Sequence, residues 1–212
     1  MNIKSYLVEL IGTFFLVVTV CVAAVFGSAG PMAPVAIGLI LGLMIYGGGH
    51  ISGGHFNPAV TLGVCLRGKC DFKDLPFYWL GQGVGAVLAV FAAWVLVPAG
   101  KVEMAKLDGQ MLPVLLAEFL FTFALVWTVL NTATAKATAG NSFYGLAIGG
   151  IVLVGAFTVG SISLGVFNPA VAIGLAEIGK LPLAMLVAYI ATQLVAGVVA
   201  AIAFKLLAGK QD

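Results

Sequence analysis

The passage GHISGGHFNPAVTLG at residues 49–63 returns as GSISLGVFNPAVAIG at residues 160–174, 111 positions later, with ten of fifteen positions identical. A single Asn-Pro-Ala triplet is a weak signal. Two copies in matched context mark an internal duplication, which has to be recognised before any finer reading. The same offset pairs Ala36-Ile37-Gly38 with Ala147-Ile148-Gly149, Tyr78 with Tyr189 and Gln82 with Gln193. Glu9, Thr13 and Phe14 pair with Glu118, Thr122 and Phe123 at an offset of 109. The duplication therefore runs through each half of the chain, with residues 1–105 as the first repeat and 106–212 as the second.

Composition places both repeats in a membrane. Hydrophobic residues make up 62% of the 212-residue chain and charged residues 8%, a balance foreign to a soluble domain of this size. Crossing a bilayer takes roughly twenty apolar residues, and six stretches qualify: 5–26, 33–49, 75–97, 112–131, 143–160 and 182–208. Two further pieces, 58–67 and 169–178, are too short to cross and too apolar for ordinary loops. The first stretch is expected to stay in the chain rather than act as a cleaved signal, because it is longer than a usual signal core, contains Glu9 and recurs later.

Three spans per half is an odd number, so the second half must enter from the opposite side, giving an inverted repeat. The expected fold class is an all-α membrane protein of six transmembrane helices plus two re-entrant half-helices. With both termini in the cytoplasm, Lys4, Arg67, Lys69, Lys73, Lys136, Lys205 and Lys210 fall inside and Lys101, Lys106 and Lys180 outside. That orientation satisfies the positive-inside rule, and the cell membrane is the expected location. A net charge of +2, thinly scattered, does not suggest nucleic acid as a partner. Cys21 lies in a span, while Cys65 and Cys70 lie near the inner face, where thiols stay reduced. His50 and His55 do not complete a ligand set with these cysteines, so neither a metal nor a cofactor is expected.

Asn57-Pro58-Ala59 and Asn168-Pro169-Ala170 carry the functional reading. Asn is among the best N-cap residues, and Pro suits the first helical position, where its missing N–H has no intrahelical partner. Each motif therefore starts a half-helix. Gly53-Gly54 and Gly165, just upstream, let irregular backbone descend to mid-membrane depth, where it must be buried in protein or line a watery cavity. Glycines 38, 42, 81, 85, 145, 149 and 155 are spaced for close helix crossings.

Inverted symmetry points both half-helix N-termini at one place near the midplane. Each carries roughly half a positive charge. A cation about 5 Å away, at an effective dielectric near 20, meets roughly 3 kcal/mol of repulsion. A neutral solute avoids that cost. The two Asn amides donate hydrogen bonds, so a central water turns its oxygen towards them and a proton wire is broken.

The doubled Asn-Pro-Ala half-helices, the SGGHFNPAV string, the glutamates in the first and fourth spans and the six-span layout resemble the aquaporin, or major intrinsic protein, family over nearly the whole chain. The resemblance implies a homotetramer in lipid, each subunit with its own pore for water or small uncharged solutes. It also implies that Glu9 and Glu118 hold backbone groups of the descending loops, and that His55 and His50 are pore-side or loop-bracing, with bracing expected for His50.

Most family members carry Arg immediately after the second Asn-Pro-Ala, where this chain has Val171. Mapping the rest of the outer constriction gives Ile37, Ala156 and Gly165. A filter without an arginine or histidine donor implies a wider mouth, which would pass glycerol, ammonia, peroxide or metalloid hydroxides alongside water. An apolar ring can also hinder water by dewetting, and Phe157 or a residue of the 98–111 loop could fill the space. Plant vacuolar members carry Val at this position and still pass water.

Two other classes stay open. A proton-coupled secondary transporter also uses inverted repeats and broken helices, and Glu9 and Glu118 would then be relay groups. A non-conducting scaffold could share the fold. No nucleophile triad, paired carboxylate or phosphate loop stands in a context that suggests an enzyme.

Overall fold

The computed structural model describes residues 2–107 and 111–208, and the regular structure among these residues is entirely helical. Lys210, assigned above to the inner side, lies outside the described residues. Helix α1 (Ile3–Thr19) widens into a π-helical turn at Val20–Val25, and α5 (Met111–Val129) does the same at Leu130–Thr134. The others are α2 (Ala33–Ser52), α3 (Pro58–Leu66), α4 (Leu75–Leu96), α6 (Tyr144–Ser163), α7 (Pro169–Glu177) and α8 (Leu183–Ala208).

Six helices among the described residues are long and apolar enough to cross a membrane: α1 and α5 with their π turns, α2, α4, α6 and α8. They agree with the six apolar stretches to within a few residues. Helices α2 and α6 run further than apolarity alone suggested, to Ser52 and Ser163. Left-handed caps end them at Gly53, φ +92°, and Leu164, φ +69°. Helices α3 and α7 have nine residues each, about 14 Å at 1.5 Å per residue, roughly half of the hydrocarbon thickness. They are the two re-entrant half-helices.

The helices pack as a pseudo-symmetric pair of bundles. Helix α1 packs on α4 as α5 packs on α8, α1 meets α2 as α5 meets α6, and α2 crosses α6 at the centre. Each half-helix leans on the last span of the other repeat, α3 on α8 and α7 on α4. Lipid tails are as apolar as leucine, so such crossings depend on close backbone approach rather than on hydrophobic burial. At the centre a Cβ on Gly38 would lie 2.6 Å from the Gly149 carbonyl oxygen, and one on Gly42 would lie 2.9 Å from that of Gly145. Large apolar side chains such as Leu80, Phe91, Leu112, Val187 and Leu206 are exposed on the outside, the arrangement of a multi-pass membrane protein.

Candidate functional site

Two buried carboxylates shape the loops that precede α3 and α7. Glu9 Oε1 accepts from Ser52 Oγ at 2.7 Å and the His55 N–H at 2.9 Å, while Oε2 accepts from the Phe56 N–H at 2.6 Å and Gln82 Nε2 at 2.8 Å. Glu118 repeats the set with Ser163 Oγ at 2.7 Å, the Val166 N–H at 3.0 Å, the Phe167 N–H at 2.7 Å and Gln193 Nε2 at 2.8 Å. A buried charge needs hydrogen bonds on every side, and each glutamate receives four. Tyr78 and Tyr189 complete the brackets by donating to the Ser52 and Ser163 carbonyls at 2.7 and 2.8 Å.

These brackets hold the backbone in a strained path. Phe56 and Phe167 adopt φ +49° and +51°, a region that costs an L-residue roughly 1–2 kcal/mol. Both rings are buried, Phe56 over Gly12 and Phe167 against Gly155 and Phe121. The turn aims each phenylalanine carbonyl at the opposite motif. Asn57 Nδ2 donates to the Phe167 carbonyl and Asn168 Nδ2 to the Phe56 carbonyl, both at 2.9 Å. Asn57 Oδ1 meanwhile caps α3 by accepting from Ala59 N–H at 2.9 Å, and Asn168 Oδ1 caps α7 by accepting from Ala170 N–H at 2.9 Å. The half-helix N-termini are thus tied to each other. One amide N–H of each asparagine is spent on this tie, which leaves each side chain a second N–H.

Both asparagines line a cavity of about 250 Å³ that also takes in Ile37, Ala156, Gly165 and Val171. All four residues mapped to the outer constriction therefore share one wall system with Asn57 and Asn168. Phe157 lies elsewhere, 55% exposed on the outer surface. A second cavity of about 690 Å³ is lined by Lys69, Cys70, Asp71 and Asp74 among others, and His55 and Val129 line both. His55 is buried at that junction with Nδ1 free of any partner among the described residues and its ring 5.1 Å from that of Tyr78. His55 and Val129 stand between the two cavities, one reaching past the asparagines to Lys180, the other reaching the 69–74 loop.

His50 does not brace the loop. It sits exposed on the last turn of α2, two residues from Gly48 and from Ser52 on the buried face, so its side chain points the opposite way. His55 holds the loop instead, through its backbone N–H. Glu9 and Glu118 line neither cavity.

Two groups of lining residues escaped the sequence reading. Leu16 and Val20, Leu125 and Val129, and Ile148 and Val152 form the apolar wall, at the four-residue spacing of a single helix face. The repeat itself could have found them: Ile148 is the counterpart of Ile37, and Leu125 and Val129 follow Leu16 and Val20 by 109 residues, like the glutamates. The other is Lys180, the sole charged residue among the described residues that line the 250 Å³ cavity. Its Nζ donates to the Glu103 carbonyl at 3.0 Å, and its own carbonyl accepts from Ala105 N–H at 2.9 Å, fastening the 101–107 loop at that mouth. No local pattern distinguishes this lysine from an ordinary loop residue.

Six membrane-crossing helices around two opposed, asparagine-capped half-helices define an inverted-repeat membrane protein of the major intrinsic protein class. The family model described as Major intrinsic protein matches residues 1–158 and again 116–211, and the chain belongs to this family. It is 35% identical to Aquaporin NIP2-1 of Zea mays over 179 residues, covering 81% of this chain and 60% of that protein. It is 30% identical to Nodulin-26 of Glycine max over 180 residues, 81% of this chain and 66% of that one. The chain spans about 60% of the length of the first of these curated relatives. In fold it is similar to the aquaglyceroporin from Plasmodium falciparum solved by X-ray analysis, with a TM-score of 0.71, 22% identity, and coverage of 96% of this chain and 94% of that one.

Proposed function

We propose that the chain is a passive membrane channel for water and small uncharged solutes, closed to ions and protons where Asn57 and Asn168 meet. The observation that carries this reading is the reciprocal tie of those asparagines inside one apolar cavity. The tie leaves both half-helix N-termini, about one positive charge in sum, and one N–H per asparagine facing the passage. A cation meets repulsion and few ligands there, whereas a neutral hydroxyl or amine finds two donors. The names aquaporin and aquaglyceroporin among its likenesses agree with water and glycerol as solutes. We assign the chain no chemical reaction.

Ile37, Ala156, Gly165 and Val171 form the outer selectivity ring in this reading. Lys180 supplies, at the rim, a positive charge that the ring itself lacks. Glu9 and Glu118 are structural brackets, since all four hydrogen bonds on each go to the loops or to the neighbouring Gln82 and Gln193. A proton relay needs a carboxylate open to the path, so the brackets favour a channel over a coupled transporter. Membership of the major intrinsic protein family supports assembly as a homotetramer, and the exposed apolar outer faces of the bundle support contact with lipid. The basic residues support cytoplasmic termini in a cell membrane, with repeats at 1–105 and 106–212.

Stopped-flow light scattering on proteoliposomes, run in parallel for water, glycerol, ammonia and hydrogen peroxide, tests the proposal. The expected result is faster, non-saturating, dissipative flux of water and at least one other neutral solute. Uphill solute uptake driven by an imposed proton gradient would replace the channel with a transporter, and swelling rates equal to empty vesicles would leave a scaffold.

A further inference from the structure

The loop after α3 carries two thiols that the channel reading does not use. Helix α3 ends in a glycine cap: Gly68, φ +81°, donates its N–H to the Cys65 carbonyl at 2.9 Å, and Lys69 N–H reaches back to that of Val64 at 3.0 Å. This reversal folds the chain under the helix end and returns Cys70 to Cys65. Both Sγ atoms reach the same Asp71 carbonyl oxygen, Cys65 at 3.8 Å and Cys70 at 3.7 Å, which sets the two thiols side by side. Cys65 is buried, while Cys70 is half-buried and lines the 690 Å³ cavity together with Lys69 and Asp71.

We infer that Cys65 and Cys70 are an oxidisable dithiol, converted by a hydroperoxide to a disulfide that draws residues 69–71 against α3 and narrows this mouth. The assignment of a mouth rests on the proposed channel function; the thiol chemistry does not. Cys70 reacts first because it faces the cavity. The neighbouring Cys65 thiol, as a donor to the ionised sulfur, also holds the Cys70 thiol below the ordinary cysteine range, against the opposing effects of burial and of the Asp74 and Asp71 carboxylates.

The Cys70 thiolate attacks one peroxide oxygen, the O–O bond breaks, and the departing hydroxide takes a proton to leave as water, giving a sulfenic acid. The Cys65 sulfur then attacks the Cys70 sulfur, the S–O bond breaks, and the hydroxyl leaves as a second water with the Cys65 proton. Two thiols and one hydrogen peroxide become one disulfide and two waters, with two electrons passing from sulfur to oxygen. A dithiol reductant reverses it by exchange.

The purified full chain and its proteoliposomes are treated with hydrogen peroxide, then assayed in parallel. Thiols are counted by maleimide labelling after denaturation, and water flux is read by stopped-flow. The chain has three cysteines, so the expected count falls from three to one on oxidation and returns to three with dithiothreitol. Flux should fall and recover in step. Cys21→Ser should keep both responses, and Cys70→Ser should lose both. A count that stays at three, a flux response that survives Cys70→Ser, or an oxidised protein as permeable as the reduced one would each overturn the inference. A reduced protein that passes no water instead sinks the channel reading, and the thiol count then judges the dithiol by itself.

Discussion

Replacing Glu118 by Gln keeps the shape of the bracket and changes one end of the side chain from acceptor to donor. The four groups now on the carboxylate at 2.7 to 3.0 Å all donate, so two of them must face the new amide nitrogen. Gln193 offers relief, because its Oε1 is buried with no partner and a flip would turn that oxygen to the new N–H. With the amide nitrogen placed on that side, the Phe167 N–H is stranded, and the flipped Gln193 nitrogen takes the place of an oxygen that had no partner. One buried, unsatisfied donor costs about 1–3 kcal/mol, and converting the remaining charge-assisted bonds to neutral ones costs about 1–2 more. The expected destabilisation is therefore about 2–5 kcal/mol, concentrated in the loop that aims Phe167 at Asn57. Denaturant titration of the detergent-solubilised protein, followed by tryptophan fluorescence, to which Trp127 on the same helix contributes, measures it. Any flux that remains should keep its solute order and show no new pH dependence. An unchanged midpoint with abolished, proton-dependent flux would refute the bracket and make Glu118 a relay.

Gly149→Val should destabilise the protein by about 1–3 kcal/mol, since its Cβ would strike the Gly38 carbonyl across the α2–α6 crossing, whereas Gly150→Ala, with open space beside it, should be tolerated; unfolding midpoints of the two separate the cases. Asn57→Asp removes the tie to the Phe167 carbonyl and adds a negative charge that offsets roughly 3 kcal/mol of the central barrier, so a cation conductance absent from the parent should appear in planar bilayers. Val171→Arg should narrow the outer mouth and reduce glycerol flux more than water flux, and unchanged glycerol uptake in stopped-flow assays would remove Val171 from the filter. Lys180→Gln should raise cation leak without slowing water; an unaltered leak would confine the lysine to holding the 101–107 loop.

Most of the architecture was legible because the bilayer imposes it. Span lengths, the re-entrant pieces and the inverted arrangement all follow from apolar run lengths and the repeat, and the Asn-Pro pairs announced α3 and α7 through capping chemistry alone. The misses have physical reasons. Apolarity faded before α2 and α6 ended, since the GGGHIS and GSIS tails are helical by capping rather than by hydrophobicity. His50 was misjudged because proximity in sequence does not fix which helix face a side chain takes. The positive φ angles at Phe56, Leu164 and Phe167 were invisible, because the residue type there is chosen by burial and hydrogen bonding rather than by backbone preference. Leu164 is instructive. A side chain on its counterpart Gly53 would meet His55 Nε2 at 2.8 Å, whereas in the second repeat the His55 position is Val166 and leucine fits.

The exchange of half-helices between the repeats has a consequence for biogenesis. Helix α3 rests on α8, where Gly197 lies against the Ala59 carbonyl, and Asn57 takes its partner from Phe167. A ribosome that has delivered the first three spans has therefore made a segment whose seat is not yet synthesised. That seat is complete only once the last span has been made, so maturation should end in a single late clasp of both halves rather than in two successive ones.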